Sequence, residues 1–347
     1  MSTQDRPPRL AWGMYKRFAL AGVIITVLAA ATVASAVLLE VKEAVDIFRR
    51  STTPLDPQVK ELLADVAPGK PQTILVIGDD RRKIDVKQGN PTRSDTMILV
   101  RLDPSKGATA LMSLPRDLVV NIPGHGRQKL NAAFAYGEDR LTLRTVRNLL
   151  KIPIHHYVRV TFWGFRGAVD RLGCVYVDVD HRYFNDNSTA LSSYDTYAEI
   201  NVNAGYQRLC GRKALQYVRF RHTDTDLVRS ARQQDFLRQM KQQVTYTDLI
   251  SKHDRLVRIF GRNTATDAEL RSRSEVIRLL KLAVFSATKP IQEIHFEGEI
   301  GPSYVEASNA QVEKLVQRFL DVKESAGPRG VAPGERPARK PKRRHHR

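Results

Sequence analysis

The chain has 347 residues, 42% apolar and 27% charged, a balance that excludes wholesale disorder and gives room for one large domain or two modest ones. Lys and Arg outnumber Asp and Glu by 56 to 37, a formal +19 that points to a polyanionic partner such as nucleic acid, anionic lipid or a phosphate-rich polymer. Two cysteines, Cys174 and Cys210, are too few for a disulfide scaffold or a four-thiolate zinc site.

Residues 1–17 are basic, with Arg6, Arg9, Lys16 and Arg17 ahead of an uncharged run from Phe18 to Leu39. At ~1.5 Å per residue that run of 22 residues is about 33 Å long, enough to cross a hydrocarbon core of about 30 Å. We read 18–39 as a single transmembrane helix whose basic flank keeps the N-terminus cytoplasmic and sends everything from Glu40 outside the cell membrane. Ala34-Ser35-Ala36 resembles a signal cleavage site, so a removed secretory signal is the alternative. Either reading exports the rest of the chain, which argues against nucleic acid as the partner. It also gives the two cysteines an oxidising compartment in which they could pair, a question their spacing leaves open.

Residues 40–71 form a charged extracytoplasmic linker, a helix and then a connector with Pro54, Pro57 and Pro68. From Thr73 the pattern is α/β. TILVIG (73–78) is a short buried strand; TMILVRLD (96–103) and ATALMSL (108–114) form a hairpin around Pro104–Gly107; LVVNI (118–122) is expected to extend the same sheet. Helical spacing covers 131–150, HYVRVTF (156–162) is a strand, FRGAVDRLG a helix ending at Gly173, and CVYVDVD a further strand. Helices follow at 211–220, 226–246, 267–287 and 308–322, with a late strand at 292–298. The expected architecture is a layered α-β-α sandwich with a mixed central sheet, preceded by the one transmembrane helix. The last stretch, 326–347, carries eight Lys/Arg against the single Glu335, has no apolar period, and reads as a disordered basic tail.

The chemistry-bearing residues collect at strand ends, where layered α/β folds place their sites. GDDRR (78–82) follows a buried strand; Asp80 could hold a divalent cation and Arg82 a phosphate oxygen. RSDTM (93–97) offers Arg93 and Asp95 on one side of an extended chain, and a second carboxylate nearby would suit magnesium. SLPRD (113–117) presents Arg116 and Asp117, and Lys129 precedes a helix that Asn131 could cap. The strongest segment is YVRFRHTDTDLVRSARQQ (217–234), with Arg219, Arg221, Arg229 and Arg232. Asp226 is placed as N-cap, and Arg229, Arg232 and Gln233 share one helical face aimed at a single spot. Guanidinia in that number suit a pyrophosphate through bidentate contacts.

In order and spacing, GDDRR, RSDTM, SLPRD, KLNAAFAYG, HHYVRVTFWGF, VDRLG and ALQYVRFRHTDTDLVRSARQQ resemble the LytR–CpsA–Psr family over residues 72–245. The resemblance implies a catalytic domain over 72–325 that moves a glycopolymer from a polyprenyl-pyrophosphate carrier to a peptidoglycan hydroxyl, with Mg2+, leaving a phosphodiester. It implies Asp80 and Asp95 as metal ligands, with Arg93 and Arg116 beside them in the catalytic set. Arg82, Lys129, Arg219, Arg221, Arg229 and Gln233 would hold the pyrophosphate, with Arg232 added from the helical face. Two positions depart from the family pattern. Asp79 stands where a small residue is usual, leaving open whether Asp79 or Asp80 faces the metal, and Val228 stands where Gly is common. The rival functions are hydrolysis of the same lipid pyrophosphate with water as acceptor, and a non-catalytic module gripping anionic wall polymer.

Overall fold

The structure is a computed structural model that describes residues 39, 42–67, 69–79, 94–106, 108–186, 199–220, 224–245, 253–287, 289–301 and 304–322. The apolar run before Leu39 and the basic tail lie outside the described residues. Among those described, no helix is long and apolar enough to cross a membrane.

Helix α1 (42–51) leads directly into β1 (Thr53–Pro54) at one edge of a seven-stranded mixed sheet. Strands β2 (Gln72–Asp79), β3 (Ser94–Leu102) and β4 (Thr109–Leu114) are consecutive antiparallel neighbours, as the hairpin around Pro104 predicts. Their inward positions, among them Leu75, Ile77, Leu99 and Met112, are fully buried. The hairpin of β5 (Val119–Ile122) and β6 (Gly126–Lys129) stands apart from this sheet, so LVVNI does not extend it. Residues 123–125 turn the chain back at once, and β5 finds its partner in the next segment rather than in β4.

Helix α2 (Ala132–Leu150) supplies Phe134, Leu143 and Val146 to the core under the sheet. It is broken at Gly137 and Glu138, where Glu138 has φ 45°. Strand β7 (His156–Thr161) then lies parallel to β2, and α3 (Phe162–Leu172) follows, N-capped by the Thr161 hydroxyl, which accepts from Gly164 N at 3.2 Å. Gly173 (φ 110°) ends α3 and Cys174 (φ 67°) is also left-handed. The two together reverse the chain into β8 (Val175–Val179) and bring Cys174 to Cys210, with which it forms a disulfide. The pairing that spacing left open is thus made.

Outside the central sheet, β9 (Tyr183–Asn185) pairs with β10 (Ile200–Val202), and β11 (Gly205–Leu209) pairs with β8. With α4 (Gly211–Arg219) and α5 (Asp226–Gln243) they enclose a second, smaller core around Val177, Tyr183, Tyr217 and Phe236. Helix α6 (His253–Asn263) feeds β12 (Thr264–Thr266), which fills the gap between β1 and β7. Helix α7 (Arg273–Ala287) leads to β13 (Ile291–Ile294), which closes the far edge beside β4. After the β14 (Glu299–Ile300) and β15 (Val305–Glu306) hairpin, α8 (Asn309–Leu320) starts from a Ser308–Gln311 capping box and packs Leu315 and Phe319 into the main core.

Candidate functional site

Strands β2, β4 and β7 run one way and β3 the other, so the ends of β2, β4 and β7 and the start of β3 share one edge of the sheet. That edge gathers Asp79, Asp95, Arg116 and Phe162 from segments far apart in sequence. Helix α5 lies across it. The Gln233 amide donates to Thr96 Oγ1 and to the Val218 carbonyl, both at 3.1 Å, which pins α5 to the start of β3.

The N-cap of α5 is Thr225, whose hydroxyl accepts from Val228 N at 3.3 Å. Asp226, expected as the cap, is instead the first helical residue, and its carboxylate turns inward with only 5% exposure. There it accepts the backbone N–H of Arg116 at 2.6 Å and pairs with the Arg229 guanidinium. Arg116 Nε lies 4.0 Å from the same carboxylate and 3.9 Å from Asp117, which Lys129 Nζ reaches at 3.3 Å. Two carboxylates therefore gather three cations from β4's end, β6 and α5. Burial pushes the Asp226 carboxyl above its ordinary value, outweighing the pull of Arg229 and Arg116. Asn131, the expected cap of α2, makes no side-chain capping bond; its backbone N–H donates to the Arg116 carbonyl at 3.0 Å and so helps fix that strand end.

Arg219 ends α4 with its guanidinium 4.2 Å over the Phe162 ring, which places it at the same edge. Arg232 does not join Arg229 and Gln233 at one spot. It is buried, donates to the Phe220 carbonyl at 2.9 Å, pairs with Asp224 and lies 4.4 Å over the Tyr183 ring. It fastens the segment after α4 instead of facing the strand ends. Asp80, Arg82, Arg93 and Arg221 lie outside the described residues, and of Asp95 only the backbone is described.

That backbone is informative. Gly78 pairs with Thr96 but Asp79 pairs with Ser94, so Asp95 is the extra residue of a β-bulge beside the chain's exit from β2. Asp79 itself is 1% exposed, with Arg159 Nε 3.5 Å from its carboxylate. Arg159 also donates to Asp139 at 2.6 Å, the residue just past the break in α2. Asp79 is thus held by Arg159, while the side chains of Asp80 and Asp95, the expected magnesium ligands, lie outside what the structure describes. Among the described residues the one cluster of metal-type ligands, Asp170 with Cys174 and Cys210, is ruled out as a cation site because its sulfurs are joined.

Sequence reasoning missed the Asp226 clasp and the Asp79–Arg159–Asp139 bridge. The second had a visible signal: an arginine in the middle of the apolar strand HYVRVT calls for counter-charge nearby.

The pattern of the LytR_cpsA_psr family matches residues 38–320. The polyisoprenyl-teichoic acid–peptidoglycan teichoic acid transferase TagT of Bacillus subtilis is 33% identical over 205 residues, 59% of this chain and 62% of TagT. TagU of Enterococcus faecalis, with the same activity in its name, is 31% identical over 261 residues, 72% of this chain and 79% of TagU. The chain spans 50% to 62% of the length of three of the curated relatives it matches. A solved structure of TagT bound to LIIa-WTA superposes with a TM-score of 0.55 at 27% identity, covering 74% of this chain and 92% of that one. A structure of TagT with bound octaprenyl pyrophosphate lipid gives 0.53 at 25% identity, covering 77% and 97%.

Proposed function

The chain belongs to the LytR_cpsA_psr family, and from that premise we propose that it is a membrane-anchored phosphotransferase. It moves a glycopolymer from a polyprenyl-pyrophosphate carrier to a peptidoglycan hydroxyl, outside the membrane, and leaves a phosphodiester. The observation that carries this reading is the gathering of Arg116, Arg229 and Lys129 around Asp226 and Asp117 at the strand edge where Arg219 and Asp95 also arrive. The names of the teichoic acid transferase relatives and the pyrophosphate lipid in a related fold support it.

In the proposed step the acceptor hydroxyl oxygen bonds to the phosphorus that carries the glycopolymer. The bond from that phosphorus to the bridging oxygen breaks, and polyprenyl phosphate leaves with the bond's electron pair. Arg116 and Arg229 meet the pyrophosphate oxygens as planar forks, and Lys129 adds a point charge. Asp226 holds the first two in register by gripping one through its backbone and the other through its guanidinium. Asp80 or Asp95 takes the acceptor's proton. Magnesium, held by Asp80 and Asp95, would supply further neutralisation of the pyrophosphate charge.

The test uses the detergent-solubilised full chain with a polyprenyl-pyrophosphate glycan, peptidoglycan fragments and magnesium, followed by mass spectrometry. A phosphodiester-linked product that needs magnesium and is lost in Asp95→Ala is the expected result. Free glycan phosphate without linkage would replace the transferase by the hydrolase.

A further inference from the structure

Away from the sheet edge, α1 and the start of α7 face each other across a cleft of about 380 Å³ lined by Asp46, Arg49, Arg50, Arg271 and Arg273. Four guanidinia and a single carboxylate line it. Asp46 accepts from Arg49 Nη1 and from Arg273 Nε, each at 3.2 Å. Arg49 also donates to the Arg271 carbonyl, which ties the two walls together, and Arg271 reaches the Thr52 carbonyl at 3.4 Å. Arg50 is exposed and has no ion pair among the described residues. The side chains of Arg49 and Arg273 are 36% and 50% exposed, so this concentration of charge opens to solvent.

Two features mark the cleft as built for an anion. Arg273 is the first residue of a 15-residue helix, where the macrodipole favours negative charge and opposes a cation. An anion seated among the arginines would satisfy both the helix end and the three guanidinia that Asp46 leaves in excess. The position also selects the anion's source. Leu39, the end of the apolar run, and residues 42–49 are helical, and a helix carried from one to the other at ~1.5 Å per residue would set Arg49 about 15 Å past Leu39. A headgroup zone is about 5–8 Å deep, which leaves about 7–10 Å, the reach of an arginine side chain of about 7 Å with one hydrogen bond of about 3 Å. Helix α6 packs against the end of α1, where a Cβ added to Gly261 would lie 2.5 Å from that of Ser51.

We propose that this cleft binds the phosphate of an anionic phospholipid headgroup in the membrane that carries the chain. The inference rests on the reading of 18–39 as a retained anchor and is independent of the transfer chemistry.

The experiment is native mass spectrometry of the detergent-solubilised full chain presented with equal amounts of phosphatidylglycerol and phosphatidylcholine. Phosphatidylglycerol should be retained in preference. Arg50→Gln with Arg273→Gln should cut that retention about twenty-five-fold, each basic residue near an anionic surface contributing about a factor of five. Arg50→Lys with Arg273→Lys should keep it, and an unchanged circular dichroism spectrum shows that both double variants fold. Equal retention of the two lipids, or retention that survives the glutamine pair, overturns the proposal. Displacement of the lipid by millimolar inorganic phosphate would make free phosphate the ligand and overturn its lipid source. Recovery of the chain from the aqueous fraction of lysed cells, cut after Ala36, would remove the anchor and the headgroup with it, whatever the lipid count.

Discussion

Arg159→Met is the sharpest probe of how the strand edge is held. The substitution keeps the length of the side chain's apolar stem and removes the guanidinium that Asp79 and Asp139 share at 3.5 and 2.6 Å. Both carboxylates are almost fully buried, at 1% and 4% exposure. Removing one partner from a buried ionic group costs about 3–5 kcal/mol, because the remaining charge keeps its desolvation penalty and loses its attraction. At about 2–4 °C per kcal/mol for a body of this size, the unfolding midpoint should fall by about 6–20 °C. Thermal unfolding of wild type and variant is the assay. A deficit below about 1 kcal/mol would refute the reasoning, since even the low end of the buried-pair range is well above it.

Arg116→Ala should lower turnover at least about tenfold with the unfolding midpoint little changed, as expected for a group whose charge acts on the reacting phosphate; a wild-type rate would remove it from the site. For Asp226 the raised carboxyl means that its ionised form is a cost to the fold that appears as pH rises through that raised pKa. Asp226→Asn should accordingly match or exceed wild-type stability at pH 7 while transferring more slowly, and a midpoint below wild type at neutral pH would contradict this. The Cys174–Cys210 bridge closes a loop with a sequence separation of 36, which by chain entropy is worth about 4 kcal/mol. Denaturant unfolding of Cys174→Ser with Cys210→Ser should show a loss of that order.

The hairpin of β3 and β4 and the helices α2 to α5, α7 and α8 were legible because their signals are local: a period of two or of 3.6, a Gly at a helix end, Pro and Gly at a turn; α6 (His253–Asn263) was not foreseen. The partners of LVVNI and CVYVDVD were not, because strand pairing is decided by non-local contacts that alternation alone does not specify. The site divides in the same way. Arg116, Arg229, Lys129 and Arg219 were singled out from residue type and position at strand and helix ends, and the structure brings them to one edge. What Asp226 does was hidden because an aspartate at a helix start looks the same to sequence reasoning whether it caps the backbone or turns inward. Arg232 looked like a neighbour of Arg229 on the helix surface, but the aromatic rings of Tyr183, Tyr217 and Phe220 take it into the smaller core.

The passage from α1 into β1 sets the mechanics of the whole molecule. Thr52 donates back into α1 at Phe48, the next residues pair with β12, and Leu55 N donates to the Thr266 carbonyl at 3.2 Å, so the helix is welded to the sheet without a hinge. Three strand spacings of about 4.8 Å separate β1 from β2, a sideways offset of about 14 Å. On the proposed anchoring, the described stretch from residue 42 into β1 is a strut and not a leash. A helix continuous with the anchor would hold the reacting edge at one height and one bearing over the bilayer, a short distance to the side of the point where the chain leaves it. A lipid-borne donor can slide in the plane to reach such an edge, whereas a wall-borne acceptor has to come down to it.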